Sequence, residues 1–235
     1  MKRDLQNPDL NSLLPDVQVD RRGFVAACIA AGFAVAADPV LAQAIKTPMD
    51  GLEGGDIKIG ELWKLPEIKE VVAGANQLSD EQAFKDLDAT VAWAAKHARG
   101  NADKLGITGF CRGGRMVWME TAHEKRVKAG VAWYGGLGPA EPVIKTTPLD
   151  VVDTLSAPVL GLYGGADQGI PQEQVEKLRE ALKKSKDKNA QRSQIHVYPD
   201  MPHGFNADYR PSYRKEAAAD GWKRMLAWFK RHGVA

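Results

Sequence analysis

Leu105-Gly106-Ile107-Thr108-Gly109-Phe110-Cys111-Arg112-Gly113-Gly114 is the stretch on which the reading of this chain turns. Its first half is a short apolar run, the pattern of a strand buried on both faces; its second half is a cysteine set among glycines. A helix is expected to follow, to about residue 123, so the cysteine falls where a strand gives way to a helix. A nucleophile on so sharp a turn takes a strained backbone conformation, and the residues two before and two after it must be small. Gly109 and Gly113 meet that requirement. The turn also sets the Cys111 sulfur over a helix N-terminus, whose partial positive charge favours a thiolate. It leaves the backbone N–H of Arg112 as an oxyanion donor. A structural cysteine beside a glycine turn is the alternative at this point.

Working outward, the same alternation continues. Upstream, Ser79 and Gln82 form a capping box ahead of Phe84, Leu87, Val91, Ala94 and Ala95 at helical spacing, which predicts a helix over 79–98. Downstream come a strand at 129–134, a Pro-bearing loop at 135–157 and a strand at 159–163. A helix from Pro171 carries Val175, Leu178 and Leu182, and a strand at 194–198 follows. The closing helix shows Trp222, Met225, Leu226 and Phe229 on one face. The charge-rich run at 183–188 reads as a solvated helix end. Short apolar strands separated by amphipathic helices predict an α/β fold: a mostly parallel sheet covered on both faces, in three layers.

The chain has 235 residues and 44% hydrophobic content, enough for one sizeable domain. Its 32 Lys and Arg against 30 Asp and Glu leave a net charge of +2, which excludes a dedicated nucleic-acid or polyanion binder. Residues 1–20 are polar, and Arg21-Arg22-Gly23-Phe24-Val25 opens an uncharged run from Phe24 to Ala37. That run is too short to span a bilayer, and it leads to Leu41-Ala42-Gln43-Ala44, which fits an A-x-A cleavage site. Residues 1–44 therefore read as a twin-arginine-like signal peptide, with the export machinery as partner and a periplasmic or secreted destination. Cleavage after Ala44 removes Cys28 and leaves Cys111 as a lone, free thiol. Neither cysteine sits in a C-x-x-C or Cys/His cluster, so no metal site is expected. Between the signal and the main domain, residues 45–78 offer only a short strand at 56–59 and a weak helix at 61–74.

Two further motifs join Cys111. Gly164-Gly165-Ala166-Asp167 follows the third predicted strand, and Pro202-His203-Gly204-Phe205 follows the fourth. Ligands of parallel sheets collect at the C-terminal ends of the strands, where all three residues fall. Alone, Asp167 reads as a turn residue and His203 as a loop hydrogen bonder. The order nucleophile, acid, histidine is the one that α/β-hydrolases use. His97, His123, His196 and His232 lack such a setting and read as surface or structural residues.

The chain resembles the dienelactone hydrolases, or carboxymethylenebutenolidases, which are α/β-hydrolases with cysteine in the nucleophile turn. The likeness runs from about Asp86 to the C-terminus and rests on G-x-C-x-G-G at Gly109 to Gly114, the G-x-x-D segment from Gly164 to Pro171 and H-G-F at His203 to Phe205. It implies that Cys111 attacks a lactone or ester carbonyl, His203 shuttles the proton and Asp167 orients the imidazole. It implies no metal or organic cofactor, and a small-molecule substrate such as the family's enol lactone. Trp133, Tyr134 and Phe205 are candidates to line an apolar pocket, and Arg112 or Arg210 to meet an anionic substrate; core packing or plain surface exposure are equal alternatives for each.

The chain also departs from the family. Ile57-Lys58-Ile59 resembles its first strand and Glu61-Leu62-Trp63 the tail of a later motif, as though strands had been excised near Gly60. Lys64 stands near where a substrate-binding arginine is expected, and Arg112 replaces an apolar residue. The missing loop supplies the second oxyanion N–H of the family, whose loss costs about 3–4 kcal/mol in the transition state. The strands removed would flank the nucleophile strand, so an exposed apolar sheet edge and self-association through it are expected. Besides the lactone or ester hydrolase, the open readings are a compromised hydrolase remnant acting as a binding or assembly module, a generic esterase, and a thiol peptidase.

Overall fold

The computed structural model describes residues 78–97, 101–139 and 144–234. The expected signal peptide, the strand at 56–59, the helix at 61–74 and Lys64 lie outside these residues. Helix α1 (Asp80–His97) starts where the Ser79 hydroxyl accepts the Gln82 N–H at 3.1 Å, with Asp80 and Glu81 in its first turn. The reciprocal bond of a capping box is not made; the Gln82 amide instead donates to Asp86 at 2.9 Å. The buried stripe is Ala83, Leu87, Val91 and Ala94, not the expected set: Phe84 stacks on His123 at 4.4 Å and Ala95 is exposed.

Four strands form one parallel sheet in sequence order: β1 (Gly106–Phe110), β2 (Ala129–Trp133), β3 (Val159–Gly164) and β4 (Gln194–Tyr198). Parallel neighbours need crossovers. Helix α2 (Arg112–His123) joins β1 to β2, and α3 (Gln172–Lys184) with the short α4 (Lys188–Arg192) joins β3 to β4. Helix α5 (Lys215–Arg231) closes the chain. Every residue of β2 and β3 is buried, as strands covered on both faces require. Alternation along β2 separates the layers: Gly130 meets Val117 and Thr121 of α2, whereas Trp133 packs under Gly221 of α5. The expected three-layer α/β architecture with a parallel sheet is what forms.

Three local features differ from expectation. The loop between β2 and β3 contains a 3-10 helix, Pro148–Thr154, opened by Asp150, whose carboxylate accepts the Thr147 N–H and hydroxyl, each at 2.7 Å. The charge-rich run at 183–188 is a junction between two helices, where Asp187 caps α4 by accepting the N–H groups of Asn189 and Ala190 at 2.8 Å. Strand β1 does stand at one end of the described sheet, yet its apolar face is not exposed. Ile107, Thr108 and Gly109 are buried, and the Thr108 hydroxyl donates to the Val131 carbonyl at 2.9 Å while accepting the Trp133 indole N–H at 3.2 Å. No described helix is long and apolar enough to cross a membrane.

Candidate active site

The turn from β1 into α2 places Cys111 at φ 55° and ψ −119°, a conformation that L-residues rarely adopt. Close packing enforces it. The Cys111 N–H donates to the Trp133 carbonyl at 3.0 Å, and its own carbonyl accepts the Arg115 N–H at 3.1 Å. A Cβ at Gly109 would stand 2.4 Å from the Gly113 carbonyl oxygen, and one at Gly114 2.3 Å from that of Trp133, so only glycine fits beneath and behind the turn. The thiol is free and exposed, with protein packed densely around its base.

Asp167 and His203 come from the ends of β3 and β4. Asp167 is buried in the turn after β3; its Oδ1 accepts the Gly169 N–H at 2.9 Å and its Oδ2 pairs with His203 Nδ1 at 2.7 Å. The Cys111 thiol lies close enough to the imidazole for the two groups to perturb each other's titration. The electrostatics follow from that proximity. Bonding to Asp167, then to Cys111, pushes His203 up to about 9 against the opposing effect of burial. Burial pushes the Cys111 thiol up, yet His203, by hydrogen bond and charge, the Arg112 N–H and the Arg210 cation together hold it below the ordinary thiol range. One group depressed and the other raised favours a thiolate–imidazolium pair.

The remaining candidates divide. The Arg112 N–H is near enough to the Cys111 sulfur to lower its pKa, while the guanidinium turns away and donates to the Leu78 carbonyl. Arg210 is exposed, stacks over the Tyr209 ring at 5.5 Å and adds its charge at the thiol. Gly204, at φ 72°, lets the chain turn directly after His203 so that the Arg210 side chain lies beside it. Trp133 and Phe205 are fully buried, their rings 6.1 Å apart, and the Trp133 N–H is spent on Thr108. They are core residues that offer a substrate no surface, so of the alternatives open for these two, core packing is the one found.

Tyr134 is nearly buried too, with its ring edge-on to His203 at 5.1 Å; it packs the imidazole, and its own exposed surface is slight. Burial, then the charges of Cys111 and Tyr209, pushes its phenol far up, so it stays protonated. Its positive φ of 37° was not foreseen, although Tyr134-Gly135-Gly136 after a strand signals a sharp exit. Two other residues escaped the sequence reading, Asp80 and Arg115, which form a bidentate ion pair on the far side of the turn. His123 pairs with Asp88 at 3.1 Å, and His196 lies within β4, away from Cys111. Among the described residues no group of three or more His, Cys, Asp or Glu side chains is placed to hold a metal.

Comparison with known proteins sets this geometry in a family. The profile of the dienelactone hydrolase family matches residues 22–233. A Methylorubrum extorquens protein provisionally named a carboxymethylenebutenolidase is 37% identical over an alignment of 289 positions, covering 97% of this chain and 98% of the relative. Those positions outnumber the 235 residues here, so the relative holds stretches with no counterpart in this chain. A Yersinia pestis protein of the same provisional name is 48% identical over 178 residues, 75% of this chain but only 65% of its own length. The crystal structure of a Klebsiella pneumoniae protein, provisionally named a dienelactone hydrolase, superposes with a TM-score of 0.67 at 45% identity, over 72% of this chain and 69% of that one. On the breadth of these matches, the chain belongs to the dienelactone hydrolase family and has its α/β-hydrolase fold.

Proposed function

We propose that the protein hydrolyses lactones or activated carboxylic esters through an acyl-enzyme on Cys111, with His203 as proton shuttle and Asp167 as its anchor. The Cys111 thiolate attacks the substrate carbonyl carbon, forming a C–S bond, and the oxyanion that develops meets the Arg112 N–H. The acyl C–O bond then breaks, and the leaving oxygen takes the proton held by the His203 imidazolium. Neutral His203 next draws a proton from water; the hydroxide adds to the thioester, the C–S bond breaks and the thiolate–imidazolium pair returns. Asp167 holds the ring through Nδ1 throughout, which leaves Nε2 free to serve the sulfur and stabilises the imidazolium.

The observation that carries this reading is the 2.7 Å bond from the buried Asp167 to the imidazole of His203, at the same C-terminal edge of the sheet as Cys111 on its strained turn. The provisional names of the relatives support the lactone end of the substrate class. As an oxyanion donor the Arg112 N–H would be worth about a hundredfold to a thousandfold in rate. The paired arginines and apolar run at 21–37 support the accompanying proposal that residues 1–44 direct twin-arginine export to the periplasm.

The test is hydrolysis of p-nitrophenyl acetate and of dienelactone by the purified protein beside Cys111→Ala. The variant should lose at least about a thousandfold in kcat. Equal rates for the two proteins would remove the enzyme reading and leave a binding or assembly module.

A further inference from the structure

We infer that Asp80, acting through Arg115, is a positioning residue for the nucleophile turn: the first turn of α1 holds the first turn of α2 in the place that keeps Cys111 near His203. The inference rests on Cys111 being the nucleophile. It starts from a mechanical requirement. A cysteine at φ 55° and ψ −119° persists only where its surroundings over-determine it, and a turn gripped from one side alone is free to relax. The sheet side of the grip is the Trp133 carbonyl, which takes the Cys111 N–H, together with the tight glycine contacts at Gly109 and Gly114.

Arg115 supplies the other side. Its backbone N–H binds the Cys111 carbonyl at 3.1 Å, and its side chain is buried, with both terminal nitrogens committed elsewhere and Nε without a partner. Nη1 and Nη2 each reach a different oxygen of Asp80 at 2.7 Å, and Nη2 also donates to the Thr146 carbonyl. One residue thus ties the strained carbonyl to a carboxylate on a separate helix. Arg112, one turn earlier on the same face, repeats the tie by donating to the Leu78 carbonyl, two residues before Asp80. Leu78 to Asp80 therefore receives both arginines of the first turn of α2.

The charges explain why Asp80 is the keystone. A guanidinium in the first turn of a helix opposes the helix dipole and, once buried, cannot stand unpaired; a carboxylate in the first turn of its own helix is favoured there. Asp80 satisfies both conditions with two parallel bonds, a geometry that fixes orientation as well as charge. Without its carboxylate, Arg115 must move toward water. Its N–H moves with it, the Cys111 carbonyl is released, and the turn relaxes toward ordinary backbone angles, carrying the sulfur away from His203 and from the Arg112 N–H.

A role confined to stability would lower the unfolding midpoint and leave the folded site unchanged. The decisive readout is therefore the pH profile of Cys111 alkylation by iodoacetamide, followed on the Cys111 peptide by mass spectrometry under conditions where circular dichroism shows each protein folded. Wild type should alkylate with a midpoint below the ordinary thiol range, and His203→Ala should raise it. Asp80→Asn should raise it by about one pH unit, slowing alkylation near neutrality about tenfold, and Asp80→Glu, which restores the carboxylate, should bring it back toward wild type. Where Asp80→Asn is too unstable to read, Arg115→Lys keeps the charge but gives up the two-pronged bond, and the same upward shift is expected. A folded Asp80→Asn or Arg115→Lys protein with the wild-type midpoint and rate would overturn the inference while leaving the nucleophile reading intact. A wild-type midpoint in the ordinary thiol range, unmoved by His203→Ala, would overturn the nucleophile reading and this inference with it.

Discussion

Glu120 shows how a single buried group governs stability away from the chemistry. It lies on α2, one face round from the nucleophile turn, almost fully buried, and its Oε2 has no hydrogen-bond partner. Burial, with Asp88 and then Glu124 adding like charge, pushes its carboxyl up to about 8. A carboxyl whose folded value exceeds its unfolded value of 4.5 contributes stability that is whole below that pH. This contribution drains away as pH rises through about 8, because the unfolded chain ionises freely and the folded one does not. Glu120→Gln should match wild type near pH 4 and become progressively more stable than it up to pH 8, by on the order of a few kcal/mol in urea unfolding. Parallel stability curves for the two proteins across that range would contradict this account. Nothing in the sequence marked Glu120, since a glutamate at helical spacing reads as solvated until its neighbours are known. Cys111, Asp167 and His203 stood out because each follows an apolar strand, and a parallel sheet sets all three at its C-terminal edge. For Trp133 and Phe205 pocket and core both stayed open in the sequence, because an aromatic beside a site motif carries no mark of which way it packs.

At the scale of elements, strand positions and helix placement were legible because a parallel sheet writes itself as apolar runs at regular intervals. What escaped were short elements whose existence depends on a cap. The 3-10 helix at Pro148–Thr154 and α4 at Lys188–Arg192 each rest on one aspartate, and neither is long enough to show a period. Thr147-Pro148-Leu149-Asp150 carried the signal in its spacing. The join of β1 to α2 is the element-level feature with the greatest consequence, and its tolerance is narrow. Gly109→Ala would set a methyl group 2.4 Å from a backbone oxygen, a clash with no flexible side chain to absorb it. The variant should lose about 1–3 kcal/mol in urea unfolding or settle with a displaced turn that slows p-nitrophenyl acetate hydrolysis. A variant with wild-type stability and rate would show that the turn has room the packing denies it.

For the molecule as a whole, the described parts make a four-stranded parallel sheet that gathers an acid, a base and a thiol at one edge. Relatives of the same family carry stretches that this chain lacks, in keeping with the departures from the family pattern before residue 79. Strand β1 ends the described sheet, but its faces are covered, so the exposed apolar surface that would have driven self-association is not found there. The central claim is that this reduced frame still performs covalent catalysis at Cys111. The most direct measurement mixes the protein with p-nitrophenyl acetate, quenches in acid and locates any acetyl group by peptide mass spectrometry while p-nitrophenol release is followed. The account predicts a burst of p-nitrophenol stoichiometric with protein and an acetyl group on the Cys111 peptide, both absent from Cys111→Ala. Steady hydrolysis without acetylated Cys111, or an equal burst from Cys111→Ala, would contradict it.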